Sequence, residues 1–279
     1  VKVEKQFLAK FLEDLNQNRV VLPSLPEVAA QVRKLVNDPN ASAHQIARLI
    51  GTDPALSARL LKVVNSPLYR GQDKIENIQA AVTRLGATQV RTLVTALAMQ
   101  QLYQSKGTRH TKQRLKTLWT HSAKVATLSY VIARRLTSLQ PDQALLGGLI
   151  HDIGILPILR RAEAYPQLVN DAEAMEEVIK HLHTVIGPYI LDAWAFPPNL
   201  VAVTSHHEDL WRSEGSEVTY VDVVVVANLY SYLGTQHYLA KADWTEIPAF
   251  TKIGLTPEEC IHTLEAAREE LEEIRSLFN

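Results

Sequence analysis

The sequence predicts an all-α protein of two helical lobes. Three observations carry that expectation: apolar residues recur at helical spacing almost throughout, helix-start and helix-stop residues punctuate the recurrence, and the one β-branched run has no partner strand. Phe7, Leu8, Phe11, Leu12 and Leu15 lie on one face of a first amphipathic helix, which a Pro-rich turn stops. Ser24, with Glu27 three residues later and Pro26 near the first turn, reads as a capping-box start for a helix carrying Val28, Val32, Leu35 and Val36. Asn37-Asp38-Pro39-Asn40 ends it. Ser42 and Gln45 repeat the capping pattern before Ile46, Leu49 and Ile50, and Asp53-Pro54 places a carboxylate cap before a proline at the first helical position. After Asn65-Ser66-Pro67, a helix through Ala81, Val82 and Leu85 closes at Gly86, and a longer one runs from about Thr88 to Leu102.

The polar, glycine-containing stretch Gln104 to His110 marks the lobe boundary, giving an N-terminal lobe over 1–108 and a second lobe over 109–279. In the second lobe Leu118, Val125, Leu128, Ile132 and Leu136 mark a helix and Pro141 opens the next. Further helical patterns run through 171–194, 198–207, 220–233 and 257–277. Glu217 to Val226 would score as a strand on β-branched content alone, but a lone strand has no partner here, so the segment reads as mostly helix.

Composition narrows the class. At 279 residues, 46% hydrophobic and 21% charged, the chain is neither disordered nor low-complexity. A net charge of −1 leaves no overall basic excess for a nucleic-acid backbone or an anionic membrane. The single cysteine, Cys260, cannot form an intramolecular disulfide, and the opening residues lack the apolar core and cleavage site of a signal peptide. A reducing cytoplasm is the expected compartment. The most apolar stretch, Val221 to Leu233, is interrupted by Asp222 and Asn228 and falls short of the roughly 20 residues a membrane helix needs, so no spanning segment is expected.

Six of the ten histidines, His121, His151, His181, His183, His206 and His207, fall inside 87 residues, where even spacing would give about three. His121 lies in an apolar helix, His151-Asp152 ends another, His183 sits beside a core stripe and His206-His207 closes a fourth, so the helices can converge on one site. An adjacent His and Asp at a helix end can offer an imidazole to one ion and a carboxylate bridging to a second, the device by which a two-metal hydrolase activates its nucleophilic water. Gly147 and Gly148, one turn before the pair, would leave room there for ions or substrate. His181, His44, His110, His237 and His262 read as ordinary histidines.

These residues, in the order His121, His151-Asp152 and Asn228, resemble the HD superfamily of metal-dependent phosphohydrolases. The motifs Leu22-Pro23-Ser24-Leu25-Pro26-Glu27-Val28, Asp53-Pro54-Ala55-Leu56-Ser57-Ala58-Arg59-Leu60-Leu61, Val64-Asn65-Ser66, Ala80-Ala81-Val82-Thr83-Arg84-Leu85-Gly86 and Leu118-Trp119-Thr120-His121-Ser122 resemble the HDOD family, the HD-related output domain of bacterial signalling proteins. The resemblance spans roughly 18–240. It implies an N-terminal helical bundle packed on an HD-like lobe, and a regulatory output role without established catalysis. The related HD-GYP phosphodiesterases use the ligand order His, His-Asp, His, His-His, Asp, matched here at His121, His151-Asp152, His183 and His206-His207. Asn228 stands where the final aspartate belongs, and its neutral oxygen binds cations more weakly. Ile155 replaces the basic residue after His-Asp-Ile-Gly, and Glu208-Asp209-Leu210-Trp211-Arg212 replaces the Gly-Tyr-Pro stretch. These departures point away from cyclic-di-nucleotide cleavage of that type. Asp222, about 240° round a helix from Asn228, does not substitute for the missing carboxylate.

Two readings therefore stand. In the first, the chain is a signal-transduction output module with a protein partner, its site either binding metal or holding polar residues that bond one another. In the second, it is a phosphomonoesterase or phosphodiesterase acting on a phosphorylated, nucleotide-like small molecule. There, one or two divalent ions (Fe, Mn, Zn or Mg) sit on His121, His151, Asp152, His183, His206 and His207, with Asn228 completing or loosening the shell. Asp152 is the catalytic candidate, and Lys124, one turn after His121, the substrate-binding one. The glycine turn between Ile78 and Met99 has the outline of a helix-turn-helix. Its second helix is nearly all apolar, however, which favours burial between lobes over nucleic-acid reading. The acidic C-terminal helix, with Leu264, Ala267, Leu271, Ile274 and Phe278 on one stripe, either docks on a partner or covers the second lobe.

Overall fold

A computed structural model describes residues 3–69, 71, 73–104 and 107–278, and among them all regular structure is helical. Ser105 and Lys106, in the stretch read as the lobe boundary, lie outside the described residues.

The first lobe holds α1 (Val3–Asn16), α2 (Glu27–Val36), α3 (Ala43–Ile50), α4 (Pro54–Val64), α5 (Ile78–Leu85) and α6 (Ala87–Tyr103). Most starts follow from the caps. Ser42 Oγ accepts from Gln45 N at 3.2 Å while Gln45 Oε1 accepts from Ser42 N at 2.8 Å, closing the predicted box before α3. Asp53 accepts from Leu56 N at 2.9 Å ahead of Pro54. The start of α2 differs from expectation: Pro26, extended at φ −50° and ψ 135°, takes the N-cap position, and no side chain caps the helix. Ser24 sits two residues too early to reach the free N–H groups of the first turn. Gly86, at φ 84°, makes the turn between α5 and α6 that a side chain would strain. Val90, Leu93, Val94, Leu97 and Met99 of α6 are buried, and from Ala87 to Met99 only Thr88 is exposed, so the second helix of this glycine-turn pair offers too little of a face to read a groove.

The second lobe comprises α7 (Arg109–Leu136), α8 (Pro141–Ile150), α9 (Ile155–Ala162), the one-turn α10 (Pro166–Val169), α11 (Ala172–Ala193), α12 (Pro198–His206), α13 (Tyr220–Ser231), α14 (Pro248–Ile253), α15 (Pro257–Ala266) and α16 (Arg268–Ser276). The valine run lies in α13, every residue of which is buried among α7, α8, α12 and α14. Tertiary enclosure on all sides overrides its β-branched preference. The C-terminal segment is two helices rather than one, because Ala267 (φ −99°, ψ 16°) breaks it. Its stripe is covered within the molecule: Leu264, Ala267, Ile274 and Phe278 are buried, and Phe278 meets Trp119 edge-on at 5.9 Å. Among the described residues Pro141–Ala162, not Val221 to Leu233, is the stretch apolar enough by length and composition to cross a membrane. It is two helices with a turn between them, and 94% of its most apolar window is buried in the core.

The lobes share one core. α6 packs on α7 and α8, and α1 crosses over to lie on α10 and α11, where Phe7 meets Tyr165 edge-on at 5.1 Å. At the seam, Asp142 accepts from Tyr69 and, at 2.7 Å, from Gln89 Nε2. Gly148 serves this packing. A Cβ there would lie 2.5 Å from the Cα of Ala126, so the glycine lets α8 close against α7 and leaves no room for an ion, against the expectation from sequence.

Candidate metal centre

Helices α7, α8, α11 and α12 each deliver one imidazole to the same point: His121 from α7, His151 from the C-cap of α8, His183 from α11 and His207 from the C-cap of α12. Asp152, in the turn after α8, lies between them. Its Oδ2 is 3.1 Å from His151 Nε2 and 3.6 Å from His121 Nε2; its Oδ1 is 3.2 Å from His207 Nε2 and 3.7 Å from His183 Nε2. Within each pair the Nε2 atoms are 3.2 Å apart. One carboxylate thus faces two imidazole pairs, one pair to each oxygen.

The donor chemistry fits a metal. The Nδ1–H of His151, His183 and His207 donates to the carbonyls of Gly148, Ile179 and Val203 at 2.7, 2.7 and 3.1 Å. With that nitrogen protonated, each Nε2 presents its lone pair to the site. Two lone pairs facing one another at 3.2 Å repel unless a metal ion or a shared proton lies between them. Ligand atoms around a tetrahedral ion, at bonds of roughly 2.0 Å, are spaced by roughly 3.3 Å, which the two triplets approach. His121, His151 and Asp152, and Asp152, His183 and His207, are each a group that could hold an ion.

Burial sets the charge. It pushes His121 down to about 3, with His151 alongside adding to the effect, and it also lowers His207. Burial opposes charge on His151 and Asp152 too, but their mutual attraction outweighs it: His151 is raised and Asp152 is held well below the usual carboxylate range.

Other residues singled out in the sequence fall elsewhere. His206, half-buried beside His207, belongs to neither triplet, since adjacent helical residues point about 100° apart. Asn228 is buried on α13 with its Oδ1 3.4 Å from Ser231 Oγ. Asp222 caps α13 through Thr219 and pairs with Lys252 at 3.3 Å. Lys124 is exposed and donates to the Ser231 carbonyl. Beyond these candidates, Arg161 pairs with Asp14, and Trp119 packs between Tyr103 and Phe278. His181, exposed, donates to its own helix.

Two clefts reach Asp152. One, of about 570 Å³, is bordered by His183, Glu208 and His237; the other, of about 430 Å³, by His121, Arg114 and Leu118. Tyr232 borders both, with its hydroxyl 3.4 Å from His121 Nε2 and its ring stacked on His237 at 3.6 Å. Glu208 Oε2 lies 3.8 Å from His183 Nε2. Sequence reasoning missed Glu208, Tyr232 and His237. Glu208 directly follows His207 and Tyr232 lies four residues after Asn228, so both carried a positional signal; His237 carried none.

An all-helical lobe that gathers two histidine pairs round one aspartate defines an HD-like domain. A family profile for the HDOD domain matches residues 22–210, and the chain belongs to that family. Over its whole length it is similar to a crystal structure from Shewanella amazonensis SB2B, provisionally named a metal-dependent phosphohydrolase, with a TM-score of 0.83, 32% identity and 99% of each chain covered. An HDOD domain protein of unknown function from Geobacter sulfurreducens matches with a TM-score of 0.70 and 23% identity, covering 99% of this chain and 98% of that one. An uncharacterized protein of Treponema pallidum (strain Nichols) is 23% identical over 225 residues, 75% of this chain; the match spans only 42% of that relative's length.

Proposed function

We propose that this chain is a signal-transduction output module whose HD-like lobe is loaded with one or two divalent ions, with His121, His151, Asp152, His183 and His207 as ligands. The observation that carries the reading is the Asp152 carboxylate, each oxygen of which faces a separate imidazole pair. Such ions would tie four helices together and supply Lewis acidity at the floor of both clefts. Imidazole and carboxylate donors suit iron, manganese or zinc better than magnesium, which keeps several waters. HDOD membership supports the output role in a bacterial cytoplasm, with a signalling protein as partner.

A second reading, hydrolysis of a phosphorylated small molecule, is favoured by the open access of both clefts to Asp152 and by the name of the Shewanella relative. In that reading Asp152 positions the ions, and Tyr232 and Glu208, which border the clefts beside His121 and His183, could orient a substrate or hold a proton. Ile155 stands where a cation would be needed, Lys124 is bonded to Ser231, Arg114 is paired with Glu176 at 3.0 Å, and Lys180 shares its cleft with Glu173, Glu176, Glu177 and Glu208, so little unbalanced positive charge meets a phosphate and the output role is the conclusion.

Elemental analysis of purified, tag-free protein tests the metal claim against His151→Ala/Asp152→Ala. Near-stoichiometric transition metal in the wild type, lost in the double variant with helicity unchanged, is the expected result. No metal after reconstitution with each ion would overturn it. Turnover of p-nitrophenyl phosphate by the loaded wild type, abolished by Asp152→Ala, would move the conclusion to the second reading.

A further inference from the structure

Where the first lobe meets the end of α11, a separate cleft of about 590 Å³ opens, within the size range of small-molecule sites. One wall is the Leu22 to Leu25 stretch, a motif the metal centre does not use; the others come from Arg33 and Lys34 of α2, from Asn37 at its C-cap and from Ala193 to Ala195. No Asp or Glu lines it among the described residues. The Arg33 guanidinium lies 3.9 Å from the Phe196 ring centroid and donates to the Ala195 carbonyl at 2.9 Å. Arg91, from α6, does not itself line the cleft but donates to Oδ1 of the lining Asn37 at 2.9 Å, which brings its charge next to that of Arg33.

The charge here is unbalanced. Arg161 has Asp14 and Arg212 has Glu214, whereas Arg33, Lys34 and Arg91 pair with no carboxylate among the described residues. Burial pushes Arg33 down to about 10, with the neighbouring charge of Arg91 adding to the effect, and burial lowers Arg91 as well. Two half-buried guanidiniums that repel one another, each with most of its five donors free of an acceptor among the described residues, are arranged to meet an anion. A purely structural role for Arg33, as a strut between lobes, accounts for its bond to Ala195 but not for the like charge of Arg91 beside it or for the acid-free walls.

We infer that this lobe-junction cleft binds a small anionic ligand through its phosphate or carboxylate group, with Arg33, Arg91 and Lys34 neutralising the charge and Trp194 forming the apolar wall. The ligand would touch both lobes, so its binding would report on their contact, as an input to an output domain must. The inference stands independently of any metal at Asp152.

Isothermal titration of the full, chelator-stripped chain with sodium pyrophosphate and, separately, with citrate tests it. Saturable one-site binding that weakens by about tenfold or more in Arg91→Gln, and further as salt is raised, is expected. Pyrophosphate binding would identify phosphate as the recognised group, and citrate binding alone would identify a polycarboxylate. Arg33→Gln disturbs the contact with Ala195 and Phe196 and risks misfolding; Arg91→Gln and Lys34→Gln avoid that contact and keep the test decisive. No saturable heat with either probe, or binding of equal strength in Arg91→Gln and Lys34→Gln, would overturn the proposal.

Discussion

Histidine protonation gives the metal-free protein a predictable response to acid. In the fold His121 and His207 are held neutral, while in the unfolded chain each titrates near the ordinary imidazole value of about 6.5. Below that pH the unfolded state binds more protons at these two positions, so stability falls as the pH drops. His151, raised, works in the opposite sense: its contribution is present in acid and is lost as pH rises through its folded value. His237, also lowered by its burial, acts in the same sense as His121 and His207, so three losses against one gain leave a net decline. The urea midpoint of chelator-treated protein is expected to drop between about pH 7 and about pH 5, and to drop less steeply in His121→Gln. A flat profile would contradict the charge states given above. The His-Asp dipeptide and the helical placement of His121, His183 and His207 were legible in the sequence because each ligand's helix is locally encoded. Tyr232 and Glu208 were legible only as neighbours of Asn228 and His207, and His237 not at all, because what brings the three to Asp152 is the packing of α11, α12 and α13.

Helix approach at the site depends on Gly154, which opens α9. A Cβ there would fall 2.1 Å from the carbonyl oxygen of His183, so only glycine allows α9 and α11 to come this close. Gly154→Ala is expected to push α11 outward, carrying His183 away from Asp152 while leaving His121 and His151 in place. Metal content should fall by the share held at the His183–His207 half, with circular dichroism nearly unchanged; full retention would show that α11 yields without moving its histidine. Gly148→Ala, which drives a methyl into the backbone of α7, should cost about 1–3 kcal/mol in urea unfolding. Helix starts with short capping boxes, such as Ser42 with Gln45, could be read from the chain. The start of α2 could not, since the choice between Ser24 and Pro26 depends on how the preceding segment lies against Trp194, whose indole N–H donates to the Pro23 carbonyl at 3.1 Å.

For the whole molecule, the continuity of the core across α6, α7 and α8 bears on cooperativity. Residues 1–108 and 109–279 are expected to unfold in one transition. Far-UV circular dichroism and tryptophan fluorescence should give superimposable urea curves, and two separated transitions would show that the lobes are independent. Helical periodicity announced an all-α chain, but that α1 lies on α10 and α11 of the other lobe is a long-range choice that no local pattern encodes. That crossing bears on how the protein is made. More than 150 residues of chain separate α1 from α11, so Phe7 and Phe11 emerge from the ribosome on the order of ten seconds before the surface that shelters them exists. During that interval an amphipathic helix with two aromatic rings on its sticky side is exposed to chaperones or to other nascent chains. Its release onto α11 is therefore a late step in biosynthesis, and expression yield should respond to chaperone supply more than the stability of the finished protein would suggest.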